Sequence, residues 1–302
     1  MKQFSYLLTV IGFFVIMLCF PKETFNGATN GLLLWFQIIL PTLLPFLFLS
    51  NILIQTNCVS CISRTLKPFL QTLFKVSSDS CYAIFVGFLC GYPMGAKVIA
   101  DLILTKRISK EEGQYLLSFC NNTSPMFITS YIIIQQFKNE SLLLGSLVIL
   151  YLSPILCSFV FRILYKNRVL NISNHSSNLS FSFDFRVFDD SIMNGFETIT
   201  KVGGYIILFS VLFSFCSKLS LFDYCLPLLE ISNGIPKILK LTNDLTITFP
   251  YVLGLTSFGG FCAIMQTYSM IKDTGLRIVP YIIQKLITAS VTSLLAYMYI
   301  NF

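Results

Sequence analysis

Gly91-Tyr92-Pro93-Met94-Gly95 breaks one long apolar stretch of this chain, residues 81–104, and Thr256-Ser257-Phe258-Gly259-Gly260 breaks another, residues 245–271. The two stretches occupy corresponding places in the two halves of the sequence. A helix broken at bilayer depth leaves backbone N–H and C=O groups unpaired, so the break has to face protein, water or a ligand. Paired breaks of this kind are typical of the substrate site of secondary transporters that are built from inverted repeats.

The composition is that of an integral membrane protein. Hydrophobic residues make up 55% of the chain and charged residues only 12%, which excludes an ordinary water-soluble domain. Because an apolar helix of about 20 residues crosses a bilayer, we expect an all-α integral membrane protein with lipid as its surroundings. The formal net charge of +7 lies mostly between the apolar runs, where it orients the chain in the membrane. A nucleic-acid partner is therefore not expected.

The apolar runs predict two inverted repeats, each with a re-entrant broken-helix hairpin, because the order of elements is similar in both halves. The N-terminus begins like a signal peptide but lacks an A-x-A cleavage site, so it is interpreted as a retained anchor. The predicted parts are an anchor helix (1–30), a first repeat (31–161) with a hairpin at about 81–104, a polar linker (162–190), and a second repeat (191–302) with a hairpin at about 245–271.

The basic residues favour re-entry of the first broken segment. If residues 81–104 crossed the membrane, the basic residues before and after it would lie on opposite sides, against the positive-inside rule. Re-entry collects them on one side, which is then the cytoplasmic side together with the N-terminus: Arg64, Lys67, Lys75, Lys106, Arg107 and Lys110. The same reasoning places the loop at 272–277 outside, although the charges of the second half decide less.

The half-helix after each break predicts an anion site. Its first N–H groups are free and carry the positive end of the helix dipole. Lys97 follows the first break, and a lysine within a membrane is by default a functional candidate. Lys97 could instead extend to the headgroups or pair with Asp101, one helical turn away. The two interpretations stay open.

Polar residues inside apolar runs supply the other candidates. Four of them precede Pro125 within one predicted span, where they either line a cavity or bond neighbouring helices. The complete set of candidate substrate-binding residues is Gly91, Pro93, Gly95, Lys97, Asn121, Asn122, Thr123, Ser124, Thr256, Ser257, Gly259, Gly260 and Gln266.

No metal, cofactor or catalytic group is expected. Cys58 and Cys61 form a lone C-x-x-C pair, and a zinc site needs two further ligands. The sole histidine, His175, lies far along the chain in the polar linker. Because the sequence also lacks an H-E-x-x-H, G-x-S-x-G or P-loop motif, an enzyme is not expected.

Several motifs carry a resemblance that covers nearly the whole chain. Gly87-Phe-Leu-Cys-Gly-Tyr-Pro-Met-Gly-Ala-Lys97, Ser118-Phe-Cys-Asn-Asn-Thr-Ser-Pro125 and Gly254-Leu-Thr-Ser-Phe-Gly-Gly260 resemble the nucleoside-recognition (Gate) domain of sporulation membrane proteins of the YlbJ type. That family is similar to concentrative nucleoside transporters, which use two re-entrant hairpins. The resemblance implies a dipicolinate carrier of endospore formation, in the bacterial cell membrane or the mother-cell-derived membrane around the forespore.

The expected function is therefore a transporter or facilitator of a small carboxylate anion. A non-transporting scaffold of a sporulation complex and a nucleoside transporter are the alternatives, and a homo-oligomer stays open. A scaffold has no need of paired breaks, which favours transport. The second half lacks a counterpart of Lys97 and of the Asn121-Asn122 pair, so we expect asymmetric substrate recognition.

Overall fold

The fold is all-helical in a computed structural model that describes residues 2–56, 59–165, 185–217 and 223–302. No strand occurs in these ranges, and the predicted all-α class is confirmed. Cys58, His175 and most of the predicted linker lie outside the described residues.

Thirteen α-helices follow one another along the described chain. They are α1 (Lys2–Cys19), α2 (Pro21–Leu34), α3 (Leu40–Gln55), α4 (Val59–Phe74), α5 (Ser80–Leu89), α6 (Met94–Leu104), α7 (Lys110–Cys120), α8 (Leu143–Tyr165), α9 (Phe185–Cys216), α10 (Ile231–Leu241), α11 (Leu245–Phe258), α12 (Gly260–Ile271) and α13 (Ile278–Asn301). A π-helical stretch (Trp35–Ile39) joins α2 to α3, and a longer π-helix (Phe127–Phe137) follows α7. Short 3-10 helices occupy Glu140–Leu142 and Leu226–Leu228.

Five segments of the described chain are long and apolar enough to cross a membrane. They are Pro21–Gln55, Glu140–Tyr165, Phe185–Cys216, Leu245–Ile271 and Ile278–Asn301. Many of their large apolar side chains are exposed, among them Ile163 and Leu164 of α8, as expected of a surface that contacts lipid. The chain is an integral membrane protein.

The first broken segment turns back on itself. Asp79, just before α5, and Arg107, just after α6, form an ion pair of 2.8 Å between Oδ2 and Nε. The segment therefore begins and ends at the same end of the bundle. Its tip, Cys90-Gly91-Tyr92-Pro93, interrupts the helix, and Gly91 has a left-handed φ of 85°, which glycine adopts without strain. We call residues 80–104 the first hairpin.

The first hairpin packs closely on the last turn of α7. A side chain on Gly87 of α5 or on Gly95 of α6 would collide with the carbonyl oxygen of Cys120. Both arms of the hairpin therefore need glycine where they meet this helix end, because any Cβ would push the backbones apart.

The second broken segment does not turn back. Near its start the Phe249 ring lies 5.9 Å from the Tyr299 ring, and Ser293 donates a hydrogen bond to the Pro250 carbonyl. Near its end Thr267 and Tyr281 share the Asn121 amide as hydrogen-bond donor. Residues 245–271 therefore run antiparallel along α13 and reach both ends of the bundle, in place of the expected hairpin. The reason is local: Gly259 alone separates α11 from α12, which bends the path without reversing it.

A segment of the second half that turns back on itself occurs earlier, at residues 223–241. Asp223 and Lys237 form an ion pair of 2.5 Å. The segment that begins at Asp223 and the helix α10 therefore lie side by side. Between them, the Leu229 carbonyl accepts a hydrogen bond of 3.0 Å from the Cys262 N–H, beside the break at Gly259. We call residues 223–241 the second hairpin. The apolar pattern predicted only an irregular run here, because this hairpin contains one α-helix rather than two.

A sixth segment reaches both ends of the bundle although its two helices are short. At the start of α7, the Gln114 side chain exchanges hydrogen bonds of 3.0 and 2.8 Å with the backbone of Arg277. At the end of the π-helix, the Phe137 ring lies 5.8 Å from that of Phe249. Residues 110–137 therefore cross antiparallel to residues 245–271, and each segment is broken near its middle.

These contacts also place the loops. The loop at 272–277 lies beside the start of α7. The Lys110 Nζ is 3.0 Å from the position that a Cβ on Gly275 would occupy. It therefore shares one end of the bundle, here called the basic end, with residues 105–110, contrary to the expectation from charge. The basic end carries Lys106, Arg107, Lys110, Lys272 and Arg277. The corrected arrangement strengthens the charge bias, because two more basic residues join that end.

Candidate functional site

Four interruptions of the backbone meet at one cavity inside the bundle. Each hairpin contributes its tip and each broken span contributes its break. The residues that these four places supply to the cavity wall are Cys90, Gly91 and Tyr92, then Thr123 and Ser124, then Glu230, Ile231 and Ser232, and finally Gly259, Cys262, Ala263 and Gln266. The breaks that the sequence singled out thus share one site.

The remaining wall of the cavity is mainly apolar. It comes from the Pro21–Gln55 segment, through residues such as Leu34 and Ile38, from α9, and from around the start of the longer π-helix. The last two supply Val202, Ile206, Met126, Phe127 and Ser130. The cavity leaves about 60 Å³ for the centres of water-sized spheres, which is room for a few water molecules, so a larger solute requires the walls to move apart. An apolar wall opposite a polar floor suits a flat ring with polar substituents.

The two breaks and the first hairpin contact one another directly. Thr123 donates a hydrogen bond of 2.9 Å from Oγ1 to the Thr256 carbonyl. Gly91 lies against the backbone of Ser124, and Gly259 against the Tyr92 ring. Gly259 has a left-handed φ of 86°. A side chain there would be strained by its backbone, and its Cβ would lie only 3.1 Å from the Ala263 Cβ.

Asn121 joins both half-helices to α13. Its amide nitrogen donates to Thr267 Oγ1 of α12 and to Tyr281 OH of α13, both at 2.8 Å. Its Oδ1 accepts a bond of 3.3 Å from the Ala96 N–H, in the first turn of α6. Asn121 is 1% exposed and does not line the cavity. It lies directly behind Thr123 and Ser124, which do.

Lys285 completes this junction, and the sequence analysis missed it. Its Nζ donates a bond of 3.0 Å to the Asn121 carbonyl, at the open end of α7. The residue is 2% exposed, and no ion pair joins it to any described carboxylate. The sequence held a usable signal, because Lys285 is the sole charged residue in residues 278–301, and lysines in such positions are functional candidates by default.

The half-helix ends are partly occupied by the protein itself. The Ala96 N–H of α6 is bonded to Asn121, and the Cys262 N–H of α12 to the Leu229 carbonyl. The free donors that the sequence predicted for an anion are therefore fewer than expected in this conformation.

Lys97 points away from the cavity and pairs with Asp101. Its Nζ lies 2.6 and 2.8 Å from the two carboxylate oxygens. The side chains of both residues are less than one-fifth exposed. Of the alternatives for this residue, the structure shows the ion pair.

Glu230 is a second residue that the sequence analysis missed. It is 4% exposed, and its carboxylate oxygens accept bonds of 2.9 and 2.7 Å from the backbone N–H groups of Ser232 and Asn233. It caps the first turn of α10 in this way. An acidic residue inside the apolar run 219–241 was the available signal.

The structure brings five of the thirteen predicted residues to the cavity: Gly91, Thr123, Ser124, Gly259 and Gln266. Of the others, Asn121 acts behind the wall, Thr256 accepts the bond from Thr123, and Asn122 bonds only to the Phe119 carbonyl of its own helix. Those outside the cavity wall are Pro93, Gly95, Lys97, Asn121, Asn122, Thr256, Ser257 and Gly260. Their roles in substrate binding stay predictions.

No group of three or more potential metal ligands is found in the described part of the chain. The cavity wall offers hydrogen-bonding groups, the rings of Tyr92 and Phe127, and the Glu230 carboxylate.

Residues 36–140 match the family model described as Gate, nucleoside recognition. The resemblance to Gate-domain membrane proteins is confirmed. The chain is also 26% identical, over 309 aligned positions, to the sporulation integral membrane protein YlbJ of Bacillus subtilis (strain 168), covering 88% of this chain and 75% of that protein. No solved structure matches.

The Gate match explains part of the cavity. It includes the first hairpin and the break at Asn121–Pro125, whereas Glu230, Gly259 and Gln266 lie beyond it. The similarity to YlbJ covers 88% of the chain and extends over both halves. It therefore also includes wall residues that lie beyond the Gate match.

Proposed function

We propose that this protein is a membrane transporter or facilitator of a small carboxylate anion. The observation that carries the proposal is the meeting of two hairpin tips and two broken spans at one cavity. Unpaired backbone at membrane depth is costly unless it serves a site. A scaffold gains nothing from four such interruptions in one place.

The elements pair as two inverted repeats in this proposal. Pro21–Gln55 would correspond to α9, the first hairpin to the second, residues 110–137 to residues 245–271, and α8 to α13. Each member of a pair runs opposite to its partner, because the first hairpin opens at the basic end and Asp223–Lys237 lies toward the other. This pairing differs from the sequence-based one, which set the first hairpin against residues 245–271.

A carboxylate is favoured by the surroundings of the cavity floor. A protonated Lys285 would place a positive charge at the Asn121 carbonyl, two residues before Thr123 of the cavity wall, and no described carboxylate forms an ion pair with it. The flat apolar wall suits an aromatic ring. Dipicolinate, which the resemblance implies, has both features, and the similar protein is named for sporulation. In this proposal the basic end faces the cytoplasm of the mother cell.

A nucleoside is the second candidate, and the Gate description favours it. Gln266 and the Thr123 and Ser124 hydroxyls could bond to a base or a sugar. Glu230 would then accept a sugar hydroxyl rather than oppose a negative charge.

Uptake into proteoliposomes separates these candidates. The purified protein should take up labelled dipicolinate, and unlabelled uridine should not compete. Lys285→Met should lower dipicolinate uptake about tenfold or more, because it removes a buried positive charge from the Asn121 carbonyl, two residues before Thr123 of the cavity wall, where water screens it poorly. Lys97→Met is the matched control, since that lysine pairs with Asp101 outside the cavity, and it should keep most of the uptake.

The other outcomes are equally informative. Uridine uptake that Lys285→Met leaves intact would favour the nucleoside. No uptake of either solute by monodisperse, thermally stable protein would favour the scaffold.

A further inference from the structure

Glu230 is the one charged side chain among the described residues that line the cavity. It lies at the tip of the second hairpin, and both of its carboxylate oxygens bond to backbone N–H groups. No described lysine or arginine forms an ion pair with it. An ionised Glu230 would therefore give the cavity itself a negative charge.

The groups that face Glu230 do not balance this charge. They are the phenols of Tyr92 and Tyr131 and the thiol of Cys262, on the first hairpin, the π-helix and α12. Phenols and thiols carry no positive charge in any protonation state. The Pro21–Gln55 segment and α9 present only apolar residues and Thr42 to the cavity.

An anionic substrate would meet this charge at close range. Two like unit charges about 6 Å apart, at an effective dielectric constant of about 20, weaken binding roughly 100-fold. Protonation of Glu230 removes this penalty. Proton binding and carboxylate binding must then favour each other, because linkage between two ligands is reciprocal.

We propose that Glu230 is the proton-binding site of this transporter, and that a proton and a carboxylate occupy the cavity together. This inference rests on the proposed function, and it names the coupling ion, which the sequence does not reveal. When the cavity opens to the other side of the membrane, one proton is then released together with each substrate molecule.

The geometry fits a proton better than a metal cation. A sodium ion needs several oxygen ligands, whereas the two Glu230 oxygens already accept bonds from N–H donors at the positive end of α10. A proton needs one lone pair and leaves those bonds in place.

Gln266 supplies an independent sign that a polar ligand binds beside Glu230. It is 4% exposed and lines the same cavity. Its one hydrogen bond within the described chain is a donation of 3.2 Å from Nε2 to the Cys262 sulfur, a weak acceptor. A buried amide this poorly satisfied needs a further partner. A substrate carboxylate could accept from its remaining N–H.

The test uses full-length protein in proteoliposomes that contain a pH-sensitive dye. An imposed gradient, acidic outside, should drive dipicolinate to accumulate inside together with protons. Initial uptake should rise up to about tenfold per unit fall in external pH, the limit for one linked proton. Glu230→Gln should still take up dipicolinate, but without pH dependence, accumulation or proton movement.

Glu112→Gln is the matched control. Glu112 is also a buried glutamate that accepts a hydrogen bond, 2.7 Å from Ser80 Oγ, but it lies at the start of α7, away from the cavity. Its variant should keep the pH dependence of the wild-type protein. Thermal unfolding in detergent shows that each variant is folded.

Three results would overturn the proposal while leaving transport established: wild-type uptake without proton movement, accumulation that needs sodium, or a Glu230→Gln variant that remains proton-coupled. If the wild-type protein takes up no carboxylate at all, the proposed function fails first.

Discussion

The two glycine-broken segments of this chain look alike in sequence and follow different paths. Residues 80–104 turn back, and the Asp79–Arg107 ion pair joins their ends. Residues 245–271 continue along α13 from Tyr299 to Tyr281. The first break spans four residues and includes a proline, whereas the second is a single glycine. Reversal of a helix needs a short loop, and a bend needs only one left-handed residue.

The largest expected effect is all-or-none and tests the two paths directly. In a background without reactive native cysteines, Lys106→Cys and Lys272→Cys should be labelled from the same side of the membrane by an impermeant thiol reagent. Lys138→Cys should be labelled from the opposite side only, because the π-helix before it reaches the other end. Labelling of positions 106 and 272 from opposite sides would restore a hairpin at residues 245–271.

The next effect concerns the break at Asn121–Pro125, within residues 110–137. Asn121→Ala removes three hydrogen bonds of a buried junction and leaves the Ala96 N–H without its partner. At about 1 kcal/mol for each net bond, the free energy of unfolding should fall by about 3 kcal/mol or more. Thermal unfolding in detergent measures this as a lowered Tm.

Asn122→Ala is the control for that change. The Asn122 amide bonds only to the Phe119 carbonyl, so we expect a loss of about 1 kcal/mol or less. Equal losses for the two variants would contradict the role of Asn121 as the junction.

The break at Gly259, within residues 245–271, depends on backbone conformation rather than on side-chain hydrogen bonds. Gly259→Ala forces a left-handed φ on a residue with a Cβ, and that Cβ lies 3.1 Å from the Ala263 Cβ. The free energy of unfolding should fall by about 1–2 kcal/mol, and uptake should fall because the backbone shifts at a residue of the cavity wall. Gly204→Ala in α9 meets no atom within 4 Å and should be neutral or slightly stabilising. A Gly259→Ala protein as stable and active as the Gly204→Ala protein would show that the bend is not needed.

The smallest effect compares the ion pairs that join the ends of the two hairpins. Double-mutant cycles should give a coupling energy of about 1 kcal/mol for Asp79 with Arg107 and less for Asp223 with Lys237. The first pair is the more buried, with side chains 11% and 15% exposed against 20% and 28%, so water screens it less. A stronger coupling in the second pair would reverse this ranking.

Local sequence predicted much of this architecture. The glycines of both breaks and the polar run before Pro125 marked three of the four places that form the cavity, because their physical reasons are local. Charge also predicted that residues 81–104 begin and end on one side, and the Asp79–Arg107 ion pair joins these two ends.

What the sequence did not reveal depends on partners distant along the chain. Whether residues 245–271 turn or cross is decided by their fit along α13, and the Leu229 contact that seats the second hairpin is with Cys262. Lys285 matters because it meets the end of a helix more than 160 positions away. These pairings follow from packing, which apolar periodicity does not encode.

The glycines at positions 87 and 95 have a mechanical consequence. Since both arms of the first hairpin rest against the Cys120 carbonyl, the hairpin cannot slide past α7, and Asn121 ties the same helix end to α12 and α13. These parts must travel as one body. Any opening of the cavity therefore has to occur on its apolar side, where Leu34, Ile38 and Val202 line the wall. Contacts there are apolar, so no hydrogen bond has to break when these side chains move.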